Sequence, residues 1–187
     1  MDTIPVILVG GLVIYLYAKG LLVSNIIRCA SRKNAGLMAF QLVVEFALIF
    51  SIAYLQLEHG FARFPDPPIG AQAVGLLFFG CGILLSFRAR LELGKNYRPL
   101  LGTESPAHLV TSGPYRTLRH PIYSGMLFAA AGFELALWSP LLVFLLAGII
   151  LALIQIRREE KLLAQAFSER WHCYCEKTPY RLIRGIF

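Results

Sequence analysis

Long apolar blocks alternate with short polar stretches along the 187 residues of the chain. Five blocks have the length and hydrophobicity of membrane helices: 4–23, 37–57, 69–87, 122–138 and 140–156. Because a helix needs roughly 20 apolar residues to cross the hydrocarbon core, the first three predict full spans. The last two would each be about 25 Å long at a rise of about 1.5 Å per residue, so they predict tilted spans or a hairpin. Ser139-Pro140 joins them, where serine can cap and proline can start the second helix.

The main polar feature is the stretch 108–125 between the third and fourth apolar blocks, called the polar island below. Gly113-Pro114 predicts a tight turn within it, since glycine accepts backbone angles that other residues refuse and proline fixes its own φ. His120-Pro121 predicts a second break, because the residue before a proline avoids the helical region while proline suits the first helical turn. A helix is therefore predicted to begin at the end of the island, near residue 122.

Three basic residues of the island are predicted to lie at the N-terminus of that helix: Arg116, Arg119 and His120. Unpaired backbone N–H groups and the helix dipole favour anions at such a position. The arrangement is typical of a pocket for a carboxylate or a phosphate. The two arginines could instead be the basic residues that flank a membrane helix on its cytoplasmic side. That explanation would not account for the closely spaced Gly-Pro and His-Pro pairs.

The charge distribution predicts how the chain crosses the membrane. The sequence is 57% hydrophobic with a net charge of +7 and a mean hydropathy of +0.62. Of its 18 Lys and Arg residues, all but Lys19 and Arg63 follow the first, third or fifth apolar block. By the positive-inside rule the N-terminus faces out and the C-terminus faces the cytoplasm. The basic residues form no isolated patch with interleaved aromatics, so a membrane is indicated as the partner and nucleic acid is not.

A second polar cluster, Gln155-Ile-Arg-Arg-Glu-Glu160, ends the last apolar block. Paired carboxylates beside paired arginines can bind the ammonium and the carboxylate of an amino-acid head group, although such a run is more often the solvated start of a helix. From Arg157 onward, apolar residues recur every three or four positions, which predicts an interfacial amphipathic helix. These residues are Leu163, Phe167, Trp171 and Tyr174.

Together the two clusters resemble those of the isoprenylcysteine carboxyl methyltransferases and their phospholipid methyltransferase relatives. The resemblance is carried by Leu109-Val-Thr-x-Gly-Pro-Tyr-Arg-x-x-Arg-His-Pro-x-Tyr-x-Gly125, the apolar hairpin, Glu159-Glu160 and the tail; Leu93-Gly-Lys-Asn96 is similar to the family's connector. It covers about residues 91–187. It implies an all-α integral membrane protein with about five transmembrane helices and a cytoplasmic cofactor pocket, formed by the connector before the fourth helix and the tail helix. We expect one domain, 1–187, in which 1–90 supply three spans and 91–187 the cofactor-binding half.

The resemblance implies methyl transfer from S-adenosylmethionine to a lipid-borne acceptor, without a metal. His108, Leu109 and Val110 would line the adenine side, with peptide groups of Leu109 and Val110 as donors and acceptors. The further implied cofactor contacts are Gly113, Tyr115, His120, Pro121, Tyr123, Glu159 and Glu160. The acceptor is expected to be a prenylated cysteine or another lipid. A bacterial or archaeal cell membrane is favoured over the endoplasmic reticulum.

One position departs from the carboxyl methyltransferases. They usually carry an arginine four residues before the first glutamate of the pair, a suitable clamp for a substrate carboxylate, whereas this chain has Gln155. The expected substitutes are Arg157, Arg158 and Arg119, acting beside Glu159 at the reacting groups. The alternatives are a phospholipid, thiol or amine methyltransferase, an inactive scaffold, or an NADPH-dependent reductase of the sterol-reductase type, whose tails are similar to residues 171–183.

Two further groups of residues have open roles. Glu45 and Glu134 lie within apolar blocks, where an ionisable side chain is costly. Each is either functional or protonated and hydrogen-bonded to a neighbouring helix. The four cysteines lack metal-ligand spacing, so they are expected to be reduced thiols.

Overall fold

The computed structural model describes residues 8–13, 16, 43, 47, 51, 54–56, 64–97 and 107–185, with Lys95 described by its backbone alone. The residues described within the first two predicted spans are all helical. The rest of those spans lies outside the described residues. Glu45, Lys19, Arg63 and the first of the four cysteines, Cys29, also lie outside the described residues.

Helix α1, Ile69–Leu93, corresponds to the third apolar block but is longer than predicted. The predicted span ends at Phe87, whereas the helix continues to Gly94, where a φ of +48° lets the glycine N–H reach the Arg90 carbonyl. Arginine, leucine and glutamate in the last turns are strong helix formers. Arg90 is 2% exposed, and its guanidinium lies 5.0 Å from the centroid of the Tyr97 ring. Residues 88–93, which follow the predicted third span, are therefore helical, and Arg90 among them is buried.

Helix α2, Pro121–Ala136, packs closely along α1. At Gly82 of α1, an added Cβ would lie 2.4 Å from the backbone nitrogen of Ala129, and at Gly132 of α2 it would lie 2.2 Å from that of Phe79. Both distances are too short for any side chain. Small residues of this kind let two membrane helices approach at backbone distance.

The hydrophobic core lies at this helix pair and includes a residue from the first apolar block. Its buried members are Leu8, Phe79, Phe133, Ala136 and Leu137. The Phe79 and Phe133 rings lie 6.0 Å apart between centroids, a separation at which aromatic pairs attract. Leu8 is 0% exposed and belongs to this cluster, so the described start of the first block packs against α1 and α2.

The last two apolar blocks form helices of unequal length. Helix α2 has 16 residues, about 24 Å at about 1.5 Å per residue, which is shorter than the roughly 30 Å hydrocarbon core. The Ser139 hydroxyl then accepts the Leu141 N–H at 3.1 Å, which caps a 3₁₀ turn, Pro140–Phe144. The predicted Ser-Pro helix start is confirmed. The chain continues directly into helix α3, Leu145–Phe167.

The tail is helical from Arg157 onward, as the sequence predicts, but no helix begins at that residue. Helix α3 continues without a break through that residue to Phe167, because the stretch contains neither glycine nor proline and is rich in helix formers. The break comes at Ser168, whose φ is +44°. A short helix α4, Glu169–Lys177, follows it. The predicted apolar positions of this helix, Trp171 and Tyr174, are buried.

Glu134 of α2 is hydrogen-bonded to a residue of the second predicted span. The Gln56 amide, 0% exposed, donates to the Glu134 carboxyl at 2.8 Å and to the Ser139 hydroxyl at 3.3 Å. Glu134 could be either functional or structural. This contact favours a structural role, in which the side chain forms a hydrogen bond between two helices in an apolar region.

Two described helical stretches, Ile69–Leu93 and Pro140–Phe167, are long and apolar enough to cross a membrane. Only 22% and 11% of their most apolar windows are buried inside the protein. Large side chains such as Leu77, Leu84 and Leu151 are therefore exposed. Exposed apolar surface on this scale suits contact with lipid and not with water.

Candidate functional site

The polar island folds around the two breaks that the sequence predicts. Gly113, at φ +55°, opens a 3₁₀ turn, Gly113–Arg116, within which Tyr115 is buried. His120 has a non-helical backbone, with φ −127° and ψ 59°, and Pro121 is the first residue of α2. The predicted start of this helix near residue 122 is thus one residue late. His120 is 5% exposed, so its imidazole lies inside the protein at the helix start.

The anion beside this helix start is a carboxylate of the chain itself. Glu160 Oε1 lies 2.8 Å from Arg119 Nη1 and 3.4 Å from His120 Nε2. Arg181 donates to the same carboxylate from Nε, at 3.1 Å to Oε1 and 3.0 Å to Oε2, and from Nη2 at 2.9 Å to Oε2. A two-nitrogen contact of this kind is a strong, charge-assisted pairing for a carboxylate. The negative charge of Glu160 is already matched by protein groups.

Glu159 has a different environment. Its Oε1 accepts the Tyr123 hydroxyl at 2.5 Å and the Gln155 amide at 3.5 Å, and its Oε2 lies 3.7 Å from His120 Nδ1. Its side chain is 34% exposed, against 12% for Glu160. Neither Tyr123 nor Gln155 carries a positive charge. The Glu159 carboxylate can therefore still form a favourable ion pair with a cationic ligand.

The tail, residues 174–182, folds back along the polar island. Two backbone bonds join them, from Arg119 N–H to the Tyr180 carbonyl at 2.9 Å and from His120 N–H to the Arg181 carbonyl at 3.0 Å. Four side chains add bonds to backbone carbonyls: Ser124 to Leu182 at 2.6 Å, Tyr174 to Tyr115 at 2.8 Å, Arg119 to Pro179 at 2.8 Å and Thr178 to Arg116 at 3.3 Å. The tail and the island therefore form one unit.

Burial and pairing shift the pKa values of the groups in this unit. Burial raises the pKa of Tyr115 and of Tyr174, so both hydroxyls stay neutral and Tyr174 can donate its bond. Hydrogen bonding to Glu160 raises the pKa of Arg181. Burial raises the pKa of the Cys175 thiol, although Arg119, whose Nη1 lies 3.3 Å from the sulfur, acts in the opposite direction.

The sequence profile of phospholipid methyltransferases matches residues 71–170, more than half of the chain. This chain belongs to the phospholipid methyltransferase family. The matched region begins in α1 and ends just after the break at Ser168, so it contains the polar island and both glutamates.

Individual relatives agree with the resemblance seen in the motifs. The chain is 29% identical over 109 residues to protein-S-isoprenylcysteine O-methyltransferase B of Arabidopsis thaliana, covering 56% of this chain and 55% of the relative. It is 34% identical over 121 residues to the Xenopus laevis protein-S-isoprenylcysteine O-methyltransferase, with 62% and 42% covered. A probable enzyme of the same name from Oryza sativa subsp. indica is 24% identical over 176 residues, with 88% and 92% covered. The chain thus spans about half the length of the first two relatives.

A solved structure has the same fold. It is that of the eukaryotic intramembrane Ras methyltransferase, an isoprenylcysteine carboxyl methyltransferase, with a TM-score of 0.69 and 23% sequence identity. The alignment covers 90% of this chain and 62% of the other. The predicted resemblance to this branch of the phospholipid methyltransferase family is confirmed.

Several predicted site residues of this family member lie together, and others do not. His120, Tyr123, Glu159, Glu160 and Arg119 form one contact network. Leu109 and Val110 are half-buried in a non-helical segment, and His108 is exposed, its N–H donating to Asn96 Oδ1 at 3.2 Å. Arg157 and Arg158 are exposed on α3 and make no contact with this network among the described residues.

Two residues of the site were not singled out from the sequence. They are Arg181, within the tail at 171–183, and Arg90, in the last turns of α1. Arg90 is buried near the site, with Nη2 3.8 Å from Met126 Sδ, three positions after Tyr123. The sequence carries no local signal for the pairing of Arg181 with Glu160, because the two residues are 21 positions apart and meet only in the folded chain.

Proposed function

We propose that this chain transfers the methyl group of S-adenosylmethionine to a lipophilic acceptor at the membrane interface. The observation that carries the proposal is the Glu159 carboxylate, which is partly exposed next to His120 in a member of a methyltransferase family. We further propose that the chain crosses the membrane with about five segments and that the pocket opens on the cytoplasmic side.

The described residues fit such a cofactor at two points. The amino group of its methionine part is a cation, and Glu159 offers a carboxylate whose hydrogen-bond partners, Tyr123 and Gln155, are uncharged. Its adenine ring needs side chains that pack against the ring faces and backbone groups that form hydrogen bonds with the ring nitrogens. The peptide groups of Leu109 and Val110 make no hydrogen bond to another described residue, so they are open to such a ligand.

When bound, the cofactor supplies a methyl group activated by a positively charged sulfur. The residues of the chain then have two tasks, alignment and exclusion of water. Tyr123 and His120 hold the Glu159 carboxylate from two sides. The rings of Tyr115 in the island and of Trp171 and Tyr174 in α4 are buried, and the Tyr174 hydroxyl bonds to the Tyr115 carbonyl, so water is excluded where the island meets α4.

The acceptor we propose first is a carboxylate of the isoprenylcysteine type. The relatives named above support it, as does the exposed apolar surface of α1 and α3, since an amphiphile could bring its head group to the site while its tail stays in lipid. A second candidate is an amine head group, as in a phospholipid. The neutral Gln155 favours it, because this position carries no cation to bind a carboxylate.

Isothermal titration calorimetry in detergent tests the proposal with three ligands: S-adenosylmethionine, its demethylated product and NADPH. We expect binding of the first two and none of NADPH; the reverse result would indicate a reductase. His120→Ala should weaken S-adenosylmethionine binding tenfold or more, since a charge-assisted hydrogen bond is worth about 1.5–3 kcal/mol. His172→Ala, on exposed α4 surface, is the matched control and should leave the affinity unchanged.

A further inference from the structure

Arg181 contacts the site in two ways at once. Its guanidinium binds both oxygens of the Glu160 carboxylate, at 2.9 to 3.1 Å. Its backbone carbonyl accepts the His120 N–H at 3.0 Å. One tail residue thus holds the main chain of His120 and also the carboxylate that faces the His120 ring.

The His120 ring lies between the two neighbouring carboxylates. Its Nε2 is 3.4 Å from Glu160 Oε1 and its Nδ1 is 3.7 Å from Glu159 Oε2. Because an imidazole is rigid, fixing Glu160 on one side of the ring sets where the other nitrogen meets Glu159. The contacts run from Arg181 through Glu160 and His120 to Glu159.

The two glutamates differ in what remains available to a ligand. Glu160 is 12% exposed and lies between Arg119 and Arg181, so a cationic ligand would gain little from its charge. Glu159 is 34% exposed and has no arginine contact among the described residues. A cationic head group would therefore be bound by Glu159, with Glu160 as its support.

We propose that Arg181 is a positioning residue that holds Glu160 and His120 so that Glu159 presents its carboxylate to the cationic head group of the cofactor. This inference rests on the proposed function. In this account Glu160 binds the tail through Arg181. The tail in turn contributes to ligand binding, because Arg181 fixes the positions of Glu160 and His120.

The experiment measures the S-adenosylmethionine dissociation constant of full-length variants in detergent by calorimetry. Arg181→Gln should weaken binding about tenfold, the usual effect of losing a charge-assisted contact. Arg184→Gln removes the same charge from an exposed position three residues later and should change binding less than about twofold. Arg181→Lys keeps the charge but loses the two-nitrogen geometry, and it should fall between wild type and Arg181→Gln.

A double variant separates positioning from general damage to the fold. If Arg181 acts through Glu159, then Glu159→Gln with Arg181→Gln binds about as weakly as Glu159→Gln alone. Two losses that multiply would overturn the proposal, as would equal affinities of Arg181→Gln and Arg184→Gln. Circular dichroism shows whether Arg181→Gln folds. If it does not, Arg181→Lys takes its place in the comparison with Arg184→Gln and in the double variant. Wild-type affinity of Arg181→Lys would then overturn the proposal. Wild-type protein that fails to bind S-adenosylmethionine would overturn the proposed function too, whereas the other contrary results would leave that function standing.

Discussion

The Tyr123 hydroxyl donates a 2.5 Å hydrogen bond to the Glu159 carboxylate across 36 positions of sequence. Tyr123 lies one helical turn after His120 in the first turn of α2, and both side chains reach the same carboxylate of α3. The start of one helix thereby fixes the orientation of an acidic group on the next. Phenol and imidazole hold that carboxylate without an arginine, which leaves its negative charge available.

We expect Tyr123→Phe to weaken S-adenosylmethionine binding tenfold or more. The substitution removes a hydrogen bond to a charged acceptor, worth about 1.5–3 kcal/mol, while it keeps the ring and its packing. Calorimetry against Tyr180→Phe measures the effect, because the Tyr180 side chain lies in the same unit and its hydroxyl has no hydrogen bond to the described residues. Equal affinities of the two variants would show that the orientation of Glu159 does not depend on this bond.

The α1–α2 contact yields a prediction about stability. Gly82→Ala should destabilise the protein by about 1–3 kcal/mol, the usual effect of overpacking, because the new methyl group would lie 2.4 Å from the backbone of α2. Gly80→Ala is the matched control on the same helix, since nothing lies within 4 Å of its added Cβ. It should be neutral or stabilising by up to about 1 kcal/mol, as alanine is the better helix former. Thermal unfolding in detergent compares them, and equal midpoints would contradict the close helix contact.

Those features of the site that depend on local chain geometry could be predicted from the sequence. The turn at Gly113 and the helix start at Pro121 follow from the backbone limits of glycine and proline, and both are found within a residue of the prediction. The pairing of the island with Glu159 and Glu160 came from the motif, and the contacts confirm that these residues lie together.

The interactions of the tail could not be predicted because they depend on a long-range fold. Arg181 meets Glu160 only after α3 ends at the left-handed Ser168 and α4 turns the chain back toward the island. Left-handed backbone at a serine has no clear sequence signal. The continuation of α3 through Arg157 has a separate, local reason: a change from apolar to charged residues marks the membrane surface, and it does not end a helix.

The membrane orientation is a prediction from charge alone. With the basic residues gathered after the first, third and fifth apolar blocks, a reporter fused after Phe64 should lie outside and one fused after Phe187 should lie in the cytoplasm. Two reporters are fused at each position, a phosphatase that is active only outside and a fluorescent protein that is active only inside. The phosphatase should be active after Phe64, and the fluorescent protein should be active after Phe187. The same pattern at both would overturn the predicted topology.

The last prediction concerns which acceptor the site prefers. A substrate carboxylate has to be held near a positively charged methyl donor, and a cation on the protein would stabilise it there. Of the expected substitutes for the missing arginine, Arg157 and Arg158 are exposed on α3, and Arg119 already binds Glu160 at 2.8 Å and the Pro179 carbonyl at 2.8 Å. We therefore expect wild-type protein to methylate a farnesylcysteine analogue more slowly than the Gln155→Arg variant does.

Gln155→Arg should raise that rate, because position 155 lies one helical turn before Glu159 and its amide already reaches the Glu159 carboxylate at 3.5 Å. Gln165→Arg adds the same charge to an exposed position of the same helix and should have no effect. The assay follows labelled methyl transfer to the farnesyl analogue and to an amino-phospholipid. Since an arginine would repel a cationic head group, the rate with the amino-phospholipid should fall in Gln155→Arg while the rate with the carboxylate rises. Fast wild-type turnover of the farnesyl substrate that survives alanine at positions 119, 157 and 158 would refute this account of acceptor binding, because the carboxylate would then be held by none of these arginines.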